Sequence, residues 1–191
     1  MEVKKITSLP MHYERYLGQI DRGWLDENRV HGIQIVSFKN QPEAGVTTYA
    51  TLGLGRHEVE MAAGKAIRQE LLISANNEFS PDAIAGLLLS LAEHMLSRNR
   101  AFLRGEVIGP GNPVIGGVTL SAIYVTNPSP FDSALTKFQS NPPATVFAYL
   151  IAITQSEATL VLKKGWRWFE DQLERQNPDI WNLSRVECIE V

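Results

Sequence analysis

The sequence predicts an α+β fold (a layered α/β arrangement) in which helices flank a mixed β-sheet. The predicted elements run helix, strands, helix, strands, helix, strand, an order that is neither strict βαβ alternation nor all-β. Residues 146–154 (VFAYLIAIT) are apolar almost throughout, which is typical of a central strand buried on both faces. Residues 80–98 carry the capping and periodicity signals of a long amphipathic helix. Together these observations favour a sheet covered by helices.

The first predicted element is a helix over residues 9–20. Ser8 is suited to its N-cap, and Pro10 is tolerated in its first turn. Its apolar side chains follow the i, i+3, i+4, i+7 spacing of one helix face: Tyr13, Tyr16, Leu17 and Ile20. Gly23-Trp24 is predicted to end this element.

Three strands are predicted next. Residues 33–38 (IQIVSF) form the first, and residues 46–52 (VTTYATL), rich in Thr, Tyr and Val, form the second. Gly53 and Gly55 end the second strand. Residues 67–74 (IRQELLIS) have a composition that also suits a helix. Their short length and the Asn-Asn turn behind them favour a third strand.

The best-specified helix of the chain begins at Ser80-Pro81-Asp82. This tripeptide supplies an N-cap, a proline at the first helical position and an early carboxylate. The apolar side chains that follow lie on one helix face: Ile84, Leu87, Leu88, Leu91 and Met95. The helix is predicted to end near Arg98.

A long connection and two strands are predicted in the second half of the chain. Residues 105–117 (GEVIGPGNPVIGG) contain five glycines and two prolines, which predicts an irregular connection. Residues 120–126 (LSAIYVT) form the next strand, and a Pro-containing loop leads from it to the apolar strand 146–154.

The last predicted helix begins directly after that apolar strand. Thr154 and Glu157 have the spacing of a capping box at its start. Gly165 interrupts the helix and is predicted to kink it or split it in two. Residues 185–191 are predicted as a final edge strand.

Length and composition predict one domain over residues 1–191. That length is typical of a single domain, and 44% of the residues are apolar, which supplies a hydrophobic core. The formal net charge is only −3, and the nearest approach to a basic patch, Lys163-Lys164 with Arg167, is short. Because nucleic-acid binders usually carry a basic stripe, we expect no nucleic-acid partner.

The chain contains one cysteine, Cys188, which excludes a disulfide framework and a Cys-rich metal site. Glu187 and Glu190 lie beside it and disfavour a reactive thiolate, so we expect a small buried residue in the last strand. The N-terminus lacks the apolar segment of a signal peptide, and no run approaches the ~18 apolar residues of a membrane span. We therefore expect a cytoplasmic protein that does not bind a membrane.

The sequence predicts no catalytic residue, no cofactor and no metal. Gly53-Leu54-Gly55 follows a strand, as a dinucleotide fingerprint does, but its third glycine position is Glu58, where a carboxylate would meet the pyrophosphate. Gly64-Lys65 lacks the upstream glycine and the Ser/Thr of a P-loop. The four histidines are widely spaced, and none forms an H-x-x-x-H pair.

Other residues favour a binding role. Trp166 and Trp168 flank Arg167, and Trp and Arg are the residue types that anchor protein interfaces. Side chains two apart on a helix point to different sides, so Trp166 can join the core while Trp168 need not. The alternative is that all the tryptophans here, with Trp181, pack inside. His57, in the loop after the second strand, is a further candidate.

Taken together, these segments resemble the Suppressor of fused (SUFU) domain family. The resemblance runs from about Val46 to the C-terminus, and residues 1–45 are its less certain part. The resemblance rests on the following segments and residues: 48–53 (TYATLG), 70–73 (ELLI), the helix over 87–95, Gly105-Glu106, residues 146–153 followed by 154–157 (TQSE), and Trp166, Leu173 and Arg185.

The resemblance implies a non-enzymatic protein-binding domain without a cofactor. Similar animal domains sequester a transcription factor by gripping an extended peptide, and bacterial members are compact immunity proteins that neutralise polymorphic toxins. The length here matches the bacterial form, so the second domain of the animal proteins is not expected. An acidic residue after the loop glycine holds the animal peptide, and Glu106 occupies that position. The aromatic and His-containing stretch that follows in the family is replaced here by residues 107–110 (VIGP).

The residues therefore predict a partner-binding site of Glu106, Arg167, Trp168 and His57, with a protein partner such as a toxin domain. Three alternatives stay open. The chain could be an enzyme that uses His57, Glu70 or Glu106 as acid–base groups near the Gly-rich loop. It could also be a regulatory adaptor for an extended peptide, or a homodimer with a structural role. The sequence does not choose between a monomer and a homodimer.

Overall fold

The computed structural model describes residues 8–25, 31–61, 64–139 and 142–187. The helices in these ranges are α1 (Leu9–Leu17), α2 (Pro81–Ser97), α3 (Gln155–Lys164) and α4 (Trp166–Gln176). The strands are β1 (Arg22–Leu25), β2 (Gln34–Lys39), β3 (Val46–Leu52), β4 (Glu58–Glu60), β5 (Ala66–Asn76), β6 (Val107–Ile108), β7 (Ala122–Thr126), β8 (Lys137–Phe138) and β9 (Thr145–Ile153).

All of these strands belong to one mixed sheet. Its main path runs β1-β2-β3-β5-β9-β7-β6, while β4 pairs with β5 and β8 pairs with β9. The central pair, β5 and β9, is parallel, with Leu72 opposite Tyr149. The other pairs are antiparallel. The predicted mixed sheet flanked by helices is confirmed.

The sheet separates two hydrophobic cores, one on each of its faces, and strand β9 contributes side chains to both. Because successive side chains of a strand point to opposite faces, Ala148, Leu150 and Ala152 enter the core beneath α2. Residues 147, 149, 151 and 153 enter the other core, which α1, α3 and α4 cover with Tyr13, Val161, Phe169 and neighbouring side chains. The prediction of a central strand buried on both faces is confirmed.

The helix boundaries follow local capping chemistry. The Ser80 hydroxyl accepts a hydrogen bond from the Ala83 N–H at the start of α2. At the start of α3, Thr154 and Glu157 form both hydrogen bonds of a capping box. Gly165, with φ +86°, ends α3 and is followed at once by α4, so the predicted interruption is a complete break between two helices.

The predicted end of the first helix is wrong. Helix α1 ends at Leu17, and Gly18 caps it with φ +81°. Gly23 and Trp24 lie in β1 instead, where Trp24 pairs with Ile35 of β2. Four mostly exposed residues show no periodicity, so only their pairing with a neighbour makes them a strand.

Four other segments differ from the prediction, and two of them are the short strands β4 and β8, where no strand was predicted. The connection over residues 105–117 contains β6, which pairs with β7. Of the predicted final strand, residues 185–187 have no strand structure, whereas residues 188–191, including Cys188, lie outside the described residues. Within the described ranges, no helix combines the length and apolar character that crossing a bilayer requires.

Candidate functional site

The turn at Gly105 and the start of α4 form one continuous face. A Cβ added to Gly105 would lie 2.5 Å from Cγ of Trp166, so the glycine backbone packs directly on the indole. The guanidinium carbon of Arg104 lies 4.6 Å from the centre of a Trp166 ring, and that of Arg167 lies 5.3 Å from it. We call residues 104–106 with Trp166 and Arg167 the Trp166 face. Of the predicted site residues, Arg167 contacts Trp166 directly, and Glu106 follows Gly105 in the same turn.

Glu106 already makes intramolecular contacts at the edge of this face. Its Oε1 lies 3.1 Å from Nη1 of Arg100 in an ion pair. Its Oε2 accepts a hydrogen bond of 3.0 Å from the N–H of Leu103. The side chain keeps 21% of its surface exposed, and it borders a cavity of about 290 Å³ that His94 and Arg98 also line. Glu106 therefore holds its own turn while part of its side chain stays accessible.

Trp168 is partly buried and packs against the same core as Trp166. The positions of the two tryptophans relative to Phe169 explain this packing, since Phe169 is fully buried on the core side of α4. Trp166 precedes Phe169 by three residues and shares its side, whereas Trp168 lies on the flank. Both tryptophans are partly buried against the core, and each keeps some accessible surface.

His57 lies in a separate place. Its Nε2 is 3.1 Å from the backbone oxygen of His31, and the two imidazole rings meet edge to face at 5.7 Å. Among the described residues, the structure shows no hydrogen bond, ion pair or ring contact between His57 and Glu106, Arg167 or Trp168. The structure thus brings together part of the predicted site and leaves His57 outside it.

Glu170 is the residue that positions Arg104, and the sequence reasoning missed it. Its carboxylate accepts hydrogen bonds from Arg104, from the Tyr124 hydroxyl at 2.9 Å and from the Thr126 hydroxyl at 2.7 Å. Burial opposes ionisation of Glu170, but the hydrogen bonds from Arg104, Thr126 and Tyr124 hold its pKa below the ordinary value. The spacing along the helix could have indicated Glu170. It follows Trp166 by four residues and therefore lies on the same helix face.

A second carboxylate, Glu70, is fully buried in β5. Thr51 donates its hydroxyl hydrogen to Oε2 at 2.5 Å, and the N–H groups of Gly53 and Gly55 point at Oε1 at 3.1 and 2.9 Å. Burial raises the pKa of Glu70 to about 7, and these hydrogen bonds act in the opposite direction. The two glycines that end β3 therefore form a cradle for a carboxylate rather than for a phosphate.

Glu70 should make folding stability depend on pH. Its pKa is about 7 in the folded protein and 4.5 as the ordinary value, so the folded state holds the proton more tightly. Stability from this group is complete below pH 4.5 and is lost as the pH rises through 7. We expect the free energy of unfolding of the wild type to fall by up to about 3 kcal/mol relative to that of Glu70→Gln across this range. Urea titrations at several pH values measure it.

The matched control for this prediction is Glu93→Gln, which changes an exposed glutamate on α2. Its difference from the wild type is measured over the same pH range. A Glu70→Gln difference that varies with pH no more than that of the control would show that the buried carboxylate does not titrate there.

The acid–base groups of the enzyme alternative do not meet. Glu70 is buried beneath the turn at Gly53, His57 contacts His31, and Glu106 is paired with Arg100. The raised pKa that would favour a catalytic carboxylate is present at Glu70, but the hydrogen bond to His57 that such a site needs is absent among the described residues. In the same part of the chain, no group of three His, Cys, Asp or Glu side chains is placed to hold a metal ion.

The fold and the Trp166 face define an α+β domain built on one mixed sheet with a compact polar and aromatic surface. The family model described as Suppressor of fused protein (SUFU) matches residues 29–186. The chain therefore belongs to the Suppressor of fused family.

Individual relatives agree with this assignment. The chain is 24% identical over 173 residues to "Immunity protein YqcF" of Bacillus subtilis (strain 168), which covers 90% of this chain and 88% of the relative. A crystal structure of a suppressor of fused homologue from Neisseria gonorrhoeae FA 1090 matches with a TM-score of 0.74 and 17% identity over 94% of each chain. The Sufu-Fu complex crystal structure matches with a TM-score of 0.72 and 13% identity over 95% of this chain and 88% of that chain. These structural matches show the fold.

Proposed function

We propose that this chain is an immunity protein that binds a toxin domain in the cytoplasm and blocks the toxin's active surface. The observation that carries the proposal is the similarity to Immunity protein YqcF, which extends over 90% of this chain. Membership of the Suppressor of fused family and the likeness to a chain of the Sufu-Fu complex support a protein partner. The proposed mechanism is steric and electrostatic occlusion, with no bond made or broken by this chain.

The Trp166 face supplies suitable anchors for such a partner. Trp and Arg are enriched among the residues that dominate binding energy, and here two guanidinium groups lie against one indole. Because Glu170 holds Arg104 and Gly105 packs on the indole, these side chains are ordered before a partner arrives. Ordered side chains lose less conformational entropy on binding. Glu106 adds a carboxylate at the edge, where it can accept hydrogen bonds from a partner.

The direct test is protection from a toxin. The toxin gene to examine is the neighbouring gene of the same operon, expressed in a host that lacks other immunity proteins. We expect the wild-type chain to restore growth and to co-purify with the toxin domain in equal amounts. If the wild-type chain restores growth against none of the toxin domains of the source genome, the immunity role is rejected.

Charge reversal at Glu106 should weaken partner binding. In Glu106→Lys we expect at least a tenfold loss of affinity, because an ammonium group replaces the edge carboxylate and the Arg100 ion pair is lost. The measurement is pull-down followed by calorimetry with the captured partner.

Two variants separate this effect from damage to the turn. Glu106→Gln keeps an oxygen that can accept from the Leu103 N–H, so it tests the charge with the turn retained. Glu93→Lys makes the same charge change at an exposed position on α2. Unchanged binding by Glu106→Lys, with a normal melting curve, would remove Glu106 from the binding site.

A further inference from the structure

A large groove lies beside the Trp166 face and is not part of the predicted site. Its volume is about 1060 Å³, and its lining includes Arg104 and Glu170. The C-terminal end of α4 and the β2–β3 turn at residues 43–46 also line it. Arg104 belongs to both surfaces, so the groove continues the Trp166 face.

The groove is lined by both apolar side chains and carboxylates. The apolar part includes Ile151, Leu173, Ile180 and Trp181. The Trp181 indole is itself held in place, because its N–H donates to the Tyr149 hydroxyl at 2.9 Å. A fixed apolar lining of this kind is suited to apolar side chains of a partner.

The charge of the groove is negative. Its lining includes the carboxylates of Glu43, Glu170, Glu174 and Asp179, and Arg104 is the cation among its lining residues. Arg104 is already paired with Glu170.

None of the other three carboxylates is paired with a cation within the described ranges. Asp179 accepts hydrogen bonds from Asn76 and from backbone N–H groups. Within the described part of the chain, Glu43 and Glu174 are exposed and have no ion-pair partner.

We propose that this groove binds an extended segment of the partner protein that carries lysine or arginine side chains between apolar ones. The apolar side chains contact the lining near Ile151 and Trp181, and the cationic ones reach Glu43 and Glu174. The volume is slightly larger than the ~300–1,000 Å³ found for small-molecule sites, which favours several residues of a chain. This inference rests on the proposed function, because the segment belongs to the protein that covers the Trp166 face.

The test uses a synthetic peptide of alternating lysine and leucine, labelled with fluorescein, and a matched peptide of alternating glutamate and leucine. Fluorescence anisotropy measures their affinities, and the NMR signal of the Trp181 indole N–H reports where they bind. We expect saturable binding of the lysine peptide, a shifted Trp181 signal, and at least a tenfold weaker affinity in the double variant Glu43→Lys/Glu174→Lys. Raising the salt concentration should weaken binding in the same direction.

The control is Glu14→Lys/Glu93→Lys, which makes the same change in net charge at exposed positions on α1 and α2. Equal weakening by both double variants would show attraction to the whole protein and would overturn the proposal, as would a Trp181 signal that does not shift. If a toxin partner is captured and its affinity is unchanged by Glu43→Lys/Glu174→Lys, the groove proposal fails while the immunity role stands. If no toxin is neutralised but the lysine peptide binds as expected, the immunity role fails instead.

Discussion

Replacing Arg185 with methionine is expected to lower the free energy of unfolding by about 3–5 kcal/mol. Arg185 and Glu157 form a buried ion pair in which Nη1 lies 2.7 Å from Oε1 and Nη2 lies 2.9 Å from Oε2. Nη2 also donates to the backbone oxygen of Ala152 at 3.0 Å. Glu157 is fully buried, so removing its cation leaves a charge without its main compensation. Urea-induced unfolding followed by circular dichroism measures the loss.

Two further variants show whether the buried charge is the cause. In Glu157→Gln/Arg185→Met the charge is gone, while the Gln oxygen can still accept from the Thr154 N–H in the capping box. This double variant should recover most of the lost stability. Arg175→Met, which changes an exposed arginine on α4, should have an effect within ~0.5 kcal/mol. A single Arg185→Met variant as stable as Arg175→Met would contradict the prediction.

Gly105→Ala is expected to destabilise the protein by about 2–5 kcal/mol and to disrupt the Trp166 face. Gly105 has φ +88°, a conformation that costs about 1–2 kcal/mol for a residue with a Cβ. The added methyl would also lie 2.5 Å from Cγ and 2.7 Å from Cβ of Trp166, so the indole must move. Displacing a packed side chain in this way adds about 1–3 kcal/mol. Thermal melting and tryptophan fluorescence detect the two effects.

Gly117→Ala separates the two causes. Gly117 has nearly the same backbone angle, φ +85°, but its added methyl meets nothing within 4 Å. We therefore expect it to show the backbone cost alone, with unchanged tryptophan fluorescence. If the two alanine variants lose equal stability, contact with Trp166 contributes nothing and Gly105 is needed only for its turn.

Much of the fold could be predicted because its signals are local. A capping box at Thr154 and Glu157 and an apolar run over residues 146–154 need no knowledge of the rest of the chain. Strand β1 could not be predicted, because it is identified only by its pairing with β2. The contacts of Trp24 could not be predicted either, because they are made with residues far away in the sequence. Its ring contacts Tyr49, and its N–H donates a hydrogen bond to Asp82.

The candidate site was harder to predict because it is formed by segments that are distant in the sequence and meet only in the folded chain. Residue type alone identified Arg167, and the family resemblance identified Glu106. The contact between Gly105 and Trp166 joins two segments that are distant in sequence, and no pattern in either one predicts it. Glu170 was missed for the same reason, since its partners come from β7 and from the turn before Gly105.

The central parallel pair has a consequence for synthesis of the chain on the ribosome. Strand β9 contributes side chains to both cores and is the last strand among the described residues to be made. At ~5–20 residues per second, the ribosome needs roughly 4–15 s to pass from the end of β5 at Asn76 to the end of β9 at Ile153. During this time β5 has no parallel partner, and its backbone edge is open to other chains. The nascent chain is therefore exposed to aggregation and proteolysis until β9 has been translated.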